Sequence, residues 1–438
     1  MAISPLDSRY KTEMSAIFEE ENKLRKWMDV EIALAKAHAE LGRIPKDAPK
    51  KIEDGSKKVK LARVLEIEEE IHHDLMAMVR ALSEQSGEAG AYVHIGATSY
   101  DIEDTATALI FRDALALEKK RLLALSEILK SLALKHRKTV CMGRTHGQHA
   151  VPTTYGMKFA LYYTEVKRHI QRIEEAEKRI LVGKMSGATG TRAGFGKDGE
   201  KLEKRVMEIL GLTPAPVSNQ VIQRDRHAEI LALLALISGT CEKIAKEIRN
   251  LSRPEIAEVA EPFGKKQVGS STMPHKRNPH KSERICSLAR LVRANVQTAL
   301  ENIPLEHERD LTNSANERFI FPESFIVTDY MLVQLSSILP GLQFFPENIK
   351  KNLELTKGLI MAERVMIALT EKGVGRQEAH EGVRELSQKA FAENKPLREM
   401  LESSPMGKKF SKKELDGLFD PSTYIGDAER IVDAALRQ

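Results

Sequence analysis

The sequence contains little cysteine, few aromatic residues and no long apolar run. Its three cysteines, Cys141, Cys241 and Cys286, lie far apart among 438 residues and form no Cys-x-x-Cys pair. This spacing argues against a disulfide framework or a cysteine zinc site and favours reduced thiols in a cytoplasm. Aromatic residues make up only 5% of the chain. A core that depends instead on Leu, Ile, Ala and Met favours packed helices, because those residues have good helix propensity.

Signals for export, membrane insertion and nucleic-acid binding are also lacking. Residues 1–7 carry neither the basic nor the apolar block of a signal peptide, and no apolar run is long enough to span a bilayer. The net charge of +5 is small, and no basic tract is interleaved with aromatic residues as a nucleic-acid surface requires. We therefore expect a soluble, cytoplasmic protein that binds neither membranes nor nucleic acid. The total charge still leaves room for a local positive pocket that holds an anionic small molecule.

Helical periodicity dominates the chain, and strand signals are sparse. Apolar residues recur at three- and four-residue steps in the segments 14–41, 100–137, 155–182, 224–252, 280–302 and 317–339. Several of these segments exceed the usual helix length, which is typical of a bundle whose helices pack along much of their length. The wholly apolar run 230–237 predicts burial on more than one side, against other subunits.

The pattern of long and short helices predicts three domains in an all-α protein. After about residue 340 the helical segments become shorter and are broken by Pro and Gly. We expect an N-terminal helical domain over 1–98, a central long-helix bundle over 99–342, and a C-terminal helical domain over 343–438. The loop 261–279 falls within the central bundle.

The most unusual segment of the chain is 269–279, Gly-Ser-Ser-Thr-Met-Pro-His-Lys-Arg-Asn-Pro. Asn278 and Pro279 suit the N-cap and first position of a helix. His275, Lys276 and Arg277 would then lie at the positive end of a helix dipole, where an anion is favoured. A mobile, donor-rich loop of this kind suits a closing lid. An ordinary surface loop with common caps is equally compatible with these local features.

Histidines mark two further segments. His146, in the motif 143–149, could be a loop histidine, a metal ligand or an acid/base. The lack of a carboxylate or cysteine at ligand spacing disfavours a metal, and imidazole suits proton transfer near neutral pH. His94 precedes Thr98 and Ser99, whose hydroxyls could cap a helix, bind a substrate carboxylate, or both; Thr98 with Asp101 fits a capping box.

Two other features are arginine-rich or glycine-rich. Four polar or charged residues lie near predicted helix starts: Gln220, Arg309, Ser314 and Arg318. An arginine in such a place is usually paired with a carboxylate. It also suits a phosphate, because its guanidinium group donates two parallel hydrogen bonds.

The segment 183–196 contains five glycines. It lacks the Gly-Lys-Ser/Thr ending of a nucleotide-binding loop, and no strand is predicted before it, so we interpret it as structural or substrate-adjacent.

The segment 269–279 resembles the signature of the fumarase/aspartase superfamily, Gly-Ser-Ser-x-Met-Pro-x-Lys-x-Asn, and matches every fixed position. Its Pro-His-Lys-Arg-Asn form is similar to the adenylosuccinate lyase branch and to the related 3-carboxymuconate cycloisomerases. Fumarases and aspartases usually carry glycine at the position of His275. The cycloisomerases do not keep the histidine at the position of His146, which favours the lyase branch. The resemblance extends from Arg9-Tyr10 to Arg318.

This resemblance implies an elongated three-domain fold whose central bundle forms the core of a homotetramer with active sites shared between subunits. The implied reaction is β-elimination of fumarate from adenylosuccinate, giving AMP, and from SAICAR, giving AICAR. The substrate would be an anionic nucleotide, and neither a metal nor an organic cofactor is required.

The resemblance also implies roles for individual residues. Ser270 would be the general base and His146 the general acid, with His73, Lys276 and Glu283 in supporting catalytic roles. From chemistry alone a histidine is the better base, because a serine hydroxyl is a poor one unless its alkoxide is stabilised. The implied substrate-binding residues are Arg9, Tyr10, His72, Asp74, His94, Thr98, Ser99, Gln148, Gln220, Met273, Asn278, Arg309, Ser314 and Arg318.

Three other interpretations compete with this one. A 3-carboxymuconate cycloisomerase is disfavoured by His146 and by the Arg9-Tyr10 pair, and an argininosuccinate lyase by the Pro-His-Lys-Arg-Asn form. A structural helical protein, of the kind that some lens crystallins represent, is disfavoured because Ser270, Lys276 and Glu283 are all retained.

Overall fold

The computed structural model describes residues 4–437, and most of them are helical. The helices are α1 (Glu13–Ile17), α2 (Glu20–Glu40), α3 (Ala48–Ser56), α4 (Leu61–Ile71), α5 (Asp74–Gln85), α6 (Ser99–Lys135), α7 (Tyr155–Ile180), α8 (Gly199–Leu210), α9 (Asp225–Leu251), α10 (His280–Glu301), α11 (Ser314–Ile338), α12 (Pro346–Glu354), α13 (Ala362–Glu371), α14 (Arg376–Ala392), α15 (Leu397–Glu402), α16 (Lys412–Leu418) and α17 (Ala428–Ala435). The predicted all-α class is confirmed.

Short strands accompany the helices. β1 (Val140–Thr145) and β2 (Gln148–Thr154) form an antiparallel hairpin. β3 (Val182–Gly183) pairs in parallel with β4 (Thr213–Pro214), and β5 (Val259–Ala260) pairs antiparallel with β6 (Gln343–Phe344). These strands connect long helices, and two of them, β1 and β5, lie immediately before predicted functional loops.

The long helices follow the periodicity of the sequence, with ends shifted by a few residues. α6 spans 37 residues and α9 spans 27, close to the predicted segments 100–137 and 224–252. The predicted helix 14–41 is wrong in one respect. The chain breaks between α1 and α2, where Glu19 adopts extended backbone (φ −64°, ψ 144°). Apolar periodicity continues across this break, which is why the sequence alone does not reveal it.

The apolar run 230–237 lies in α9, and this chain buries most of it without a neighbour. Ile230, Leu231, Leu233, Leu234 and Ile237 are all buried, whereas Leu236 is 53% exposed. The run is therefore explained largely by packing within the chain, and by itself it does not require another subunit.

The chain folds into two compact units, each built from three separate stretches of sequence. Unit 1 comprises Met1–Leu123, Arg168–Cys241 and Ser287–Val333. Unit 2 comprises Ala124–Lys167, Glu242–Cys286 and Gln334–Gln438. The division into domains 1–98, 99–342 and 343–438 stays a prediction, and residues 1–3 and 438 of those domains lie outside the described range.

Each unit has its own apolar core. In unit 1, α2 packs with α3, α5 and α8 around residues that include Trp27, Met78 and Leu202. The closely spaced small residues Ala33 and Ala37 of α2 are fully buried, which allows neighbouring helices to approach this face. In unit 2, the C-terminal helices enclose Val365, Leu369 and Leu401.

No helix within residues 4–437 is both long enough and apolar enough to cross a bilayer.

Candidate active site

The predicted signature loop belongs to unit 2 and connects β5 to α10. Ser270 is partly buried, and its Oγ accepts hydrogen bonds from the backbone N–H groups of Thr272 (3.3 Å) and Met273 (3.1 Å). These two donors place partial positive charge at the oxygen that the family implies as the base. Lys276 is exposed in the same loop. These hydrogen bonds favour ionisation of the Ser270 hydroxyl, compared with a serine whose Oγ has no such donors.

Asn278 closes this loop instead of capping the next helix. α10 begins at His280, and the Pro279 carbonyl accepts the first helical hydrogen bond, from the N–H of Glu283 (3.0 Å). Asn278 Nδ2 donates to the Gly269 carbonyl at 2.9 Å. The predicted N-cap role of Asn278 is thus wrong by one residue. Glycine is required at 269, because a Cβ there would overlap the Lys276 carbonyl.

His146 lies at the tip of the β1–β2 hairpin in unit 2. Thr145 pairs with Gln148, so His146 and Gly147 are the two residues of the turn, with φ values of 53° and 73°. Positive φ at both positions is the signature of a type I′ turn. The exposed imidazole is therefore held by a rigid two-residue loop.

The base of this hairpin is anchored by a buried carboxylate. Glu258 accepts hydrogen bonds from Arg144 Nη2 (2.5 Å), the Tyr155 hydroxyl (2.5 Å) and Asn352 Nδ2 (2.8 Å). Arg144 is in β1, two residues before His146. These contacts fix the strand that presents the histidine, and no sequence motif had singled out Glu258.

Unit 1 contains a cleft of about 480 Å³. Eight of the predicted site residues, from four separate stretches of the chain, line it: His72, His73, Asp74, Ser99, Gln220, Arg309, Ser314 and Arg318. Its volume lies in the usual range for small-molecule sites. The remaining lining residues are Glu68, Glu103, Asp310 and Leu311.

Two guanidinium groups in this cleft are oriented by neutral or acidic partners. Arg318 Nη2 donates to Asp74 Oδ2 at 2.6 Å. Arg309 Nη1 donates to Gln220 Oε1 at 2.9 Å, and its guanidinium carbon lies 3.8 Å from the centroid of the Tyr100 ring. Stacking and hydrogen bonding leave each arginine with further donors for a ligand. Two such forks in one cleft suit an anionic group such as a phosphate or carboxylate.

His73 is the N-cap of α5. Its Nδ1 accepts a hydrogen bond from the N–H of Met76 at 3.4 Å. An accepting Nδ1 places the proton of the neutral imidazole on Nε2. His72, just before it, ends α4 in the left-handed conformation with φ 54°.

His94 is held by a residue that the sequence motifs did not point to. Its Nδ1 lies 2.6 Å from Glu31 Oε1, and its backbone N–H donates to Glu31 Oε2 at 3.0 Å. Burial alone lowers the pKa of His94, but the hydrogen bond and charge of Glu31 outweigh it, so this pKa lies above its usual value. The available signal was a glutamate among the apolar residues that form the buried face of α2.

Three of the predicted site histidines share an uncommon backbone conformation. His72, His94 and His146 have φ values of 54°, 65° and 53°. Residues other than glycine seldom adopt this region, and such positions concentrate at functional sites where the surrounding structure holds them. The shared conformation could not be read from the sequence.

Thr98 and Ser99 begin α6 as predicted. Asp101 Oδ2 accepts the N–H of Thr98 at 2.9 Å, which is one half of the predicted capping box. Asp101 also accepts the N–H groups of Ser186 (2.8 Å) and Gly187 (3.0 Å) and pairs with the buried ammonium of Lys184. The glycine-rich segment 183–196 is therefore tied to the start of α6, which supports its interpretation as structural.

The remaining predicted residues occupy other positions. Tyr10 packs edge-on against Tyr330, with ring centroids 5.0 Å apart, and Arg9 is exposed. Neither of them, nor His94 or Thr98, lines the unit 1 cleft. In unit 2, Gln148, Met273 and Glu283 are exposed.

Within residues 4–437, no group of three or more His, Cys, Asp or Glu side chains is arranged to hold a metal ion.

Comparisons with known proteins agree with the sequence motifs. A family model described as "Lyase" matches residues 8–294, and one described as "Adenylosuccinate lyase C-terminus" matches residues 358–435. The adenylosuccinate lyase of Pyrococcus abyssi is 58% identical, covering 99% of this chain and 97% of the relative.

Solved structures show the same fold. The fumarate lyase from Mesorhizobium sp. BNC1 has a TM-score of 0.90 at 36% identity, with 97% of each chain covered. The 3-carboxy-cis,cis-muconate lactonizing enzyme from Pseudomonas putida has a TM-score of 0.90 at 34% identity, covering 99% of this chain and 98% of that one. With the family models matched over most of its length, this chain belongs to the adenylosuccinate lyase family of the fumarase/aspartase superfamily.

Proposed function

We propose that this protein is a C–N lyase that releases fumarate from adenylosuccinate, leaving AMP, and from SAICAR, leaving AICAR. The observation that carries the proposal is the unit 1 cleft, where eight residues from four stretches of the chain meet around two guanidinium groups. Membership of the family supports the reaction class, and the two guanidinium groups of the cleft support its assignment as the site for an anionic nucleotide.

The proposed reaction is a β-elimination. A base removes a proton from the carbon beside one carboxylate of the succinyl group, giving a doubly charged aci-carboxylate. An acid then protonates the departing nitrogen as the C–N bond breaks, and fumarate leaves. The intermediate is the difficult species, so cations and hydrogen-bond donors near that carboxylate should supply most of the rate enhancement.

Ser270 is the proposed base and Lys276 the proposed cation. The two backbone N–H groups that donate to Ser270 Oγ would stabilise its alkoxide. One cation about 4 Å from the developing charge, in partly solvated surroundings, contributes about 4 kcal/mol. That is worth roughly a thousandfold in rate.

His146 is the proposed acid, with His73 and Glu283 in supporting roles. A type I′ turn keeps the His146 imidazole exposed on a fixed hairpin, as a group that transfers a proton to a bound substrate requires. Arg309, Ser314, Arg318 and Gln220 are proposed to bind substrate. Arg9 and Tyr10 are proposed to contact its phosphate.

The proposed assembly is a cytoplasmic homotetramer in which each active site takes residues from more than one subunit. The proposed architecture is the elongated three-domain arrangement of the family, with the central bundle at the tetramer core. No nucleic acid, membrane, metal or organic cofactor takes part in the proposal.

The fold alone does not separate this activity from that of the lactonizing enzyme, because both structural comparisons give a TM-score of 0.90. The higher identity to an adenylosuccinate lyase, 58% over nearly the whole chain, favours the C–N lyase. His146 and the Pro-His-Lys-Arg-Asn form agree with it.

A substrate panel tests the proposal. The purified protein is assayed for fumarate with adenylosuccinate, SAICAR and argininosuccinate, and for loss of 3-carboxymuconate. We expect fumarate from the first two compounds only. Absence of fumarate from both purine-pathway compounds would overturn the proposed function.

A further inference from the structure

Glu103 occupies a position that neither the signature nor the proposed mechanism uses. It lies in the second turn of α6 and lines the unit 1 cleft. It also lines a smaller neighbouring pocket of about 140 Å³ with aromatic walls that include Trp27, Tyr100 and Phe111. The two spaces share Glu103, Ser314 and Arg318. The carboxyl group of Glu103 is therefore part of the wall between an anion-binding cleft and an aromatic pocket.

The Glu103 carboxyl group has no hydrogen-bond or ion-pair partner among residues 4–437. The two arginines of the cleft are held elsewhere, Arg318 by Asp74 and Arg309 by Gln220 and the Tyr100 ring. A partly buried carboxylate without a partner is costly, whereas a neutral carboxylic acid in the same place is much less so.

The charges around Glu103 come from several elements. Its own helix contributes Tyr100 and Asp104, and α2 contributes Glu20 and Lys23. The segment from the end of α4 to the start of α5 contributes Glu68, His72, His73 and Asp74. The loop before α11 contributes Arg309 and Asp310, and α11 itself contributes Glu317 and Arg318. Asp104 and Glu317 are themselves paired with the buried guanidinium of Arg224.

Burial raises the pKa of Glu103 to about 8, and the carboxylates of Asp74 and Asp104 act in the same direction against the lowering effect of Arg309 and Arg318. Near neutral pH the group is mostly protonated. It then adds an O–H donor to a cleft that is also lined by two arginines, Arg309 and Arg318.

We propose that Glu103 binds the substrate as a neutral carboxylic acid that donates a hydrogen bond to an anionic oxygen, either of the phosphate or of the succinyl group. This inference rests on the proposed function, because it takes the cleft to be the substrate site. An O–H donor to a charged oxygen forms a short, strong hydrogen bond. Once ionised, the same group becomes a like charge beside the anion and weakens its binding.

Steady-state fumarate release between about pH 6.5 and 9.5 tests the role of Glu103 in wild type, Glu103→Gln and Glu103→Ala. The exposed Glu69→Gln on α4 is the matched control. In wild type we expect KM to rise as Glu103 ionises through its pKa of about 8, approaching tenfold per pH unit. Glu103→Gln keeps a donor but does not titrate, so its KM should lack that rise. Glu103→Ala should raise KM at pH 7 by roughly tenfold to a hundredfold, with a smaller change in kcat.

Product binding, measured by calorimetry, identifies the oxygen that Glu103 contacts. Weaker binding of AMP to Glu103→Ala indicates the phosphate, and weaker binding of fumarate indicates the carboxylate.

The inference is overturned if Glu103→Gln shows the same rise of KM with pH as wild type, or if Glu103→Gln binds the substrate as weakly as Glu103→Ala at pH 7. If wild type releases no fumarate but binds AMP more tightly than Glu103→Ala does, the proposed function fails, whereas the hydrogen bond from Glu103 to a nucleotide oxygen is supported. If wild type neither releases fumarate nor binds AMP, both fail. If Glu103→Ala does not fold, the comparison of Glu103→Gln with wild type still tests the inference.

Discussion

The carboxylate of Asp101 pairs with the ammonium of Lys184, and both side chains are completely buried. Asp101 also accepts backbone N–H groups at the start of its own helix, α6, and in the glycine-rich segment. One carboxylate thus joins the turn that carries Ser99, a residue of the cleft, to the glycine-rich segment 183–196, which the sequence predicts to be structural or substrate-adjacent. The charge of Lys184 is tolerated inside the protein because this partner is present.

Asp101→Ala should destabilise the protein strongly. Removing the carboxylate leaves the buried ammonium of Lys184 unpaired, and breaking a buried pair in this way costs about 3–5 kcal/mol. Urea denaturation followed by circular dichroism measures the change in unfolding free energy. Asp54→Ala is the control, because Asp54 pairs with Lys50 and Lys57 on the surface, and we expect little change there. Equal stability of the two variants would show that the buried pair is unimportant.

Ser270→Ala should remove nearly all fumarate release while leaving the fold and the assembly intact. Loss of a positioned general base lowers kcat by about 10²–10⁴-fold. The neighbouring Ser271 supplies a matched control, since it is an exposed serine in the same loop whose Oγ lies 3.4 Å from that of Thr272. Ser271→Ala should keep most of the activity. Comparable kcat values for the two variants would reject Ser270 as the base.

Mixing two inactive variants tests the shared active site. His146→Ala and Ser270→Ala chains each lack one proposed catalytic group, but a mixed assembly contains some sites with both groups intact. We expect activity to return after subunit exchange, to a fraction of the wild-type value set by the statistics of mixing. Size-exclusion chromatography with a tagged subunit verifies that exchange has occurred. A verified mixture that stays inactive means that both groups of one site come from the same chain.

The His94–Glu31 pair should make stability depend on pH. The pKa of His94 is raised in the folded protein, where Glu31 outweighs burial. A group whose pKa rises on folding stabilises the native state fully below its unfolded pKa of about 6.5, and this contribution is lost as pH rises through the folded value. His94→Asn removes the titration and tolerates the left-handed backbone. The gap in unfolding free energy between wild type and His94→Asn, measured in urea, should therefore shrink as the pH rises above about 6.5. A gap that does not change with pH would show that His94 is not charged by Glu31.

Much of the fold could be predicted because the spacing of apolar residues along a helix indicates which face of that helix is buried. Five of the six long segments became single helices close to their predicted bounds. The break at Glu19 escaped prediction, since the apolar spacing continues across it. The apolar run in α9 predicts contacts with other subunits, whereas this chain itself buries Leu231 and Leu234. Periodicity shows that a residue is buried without showing what buries it.

The sequence by itself determined the family, through the signature at 269–279 and the histidine of the 143–149 motif, because those motifs are contiguous and need no partner to be recognised. It also determined most of the residues that line the cleft. Only the tertiary structure decided which groups hold the predicted site residues: Glu31 holds His94, and Tyr100 and Gln220 hold Arg309. It also revealed Glu103 in the cleft, whose carboxyl group has no partner within residues 4–437. Charge state and orientation depend on burial and on neighbours distant along the chain, and the order of residues does not specify these until the chain has folded.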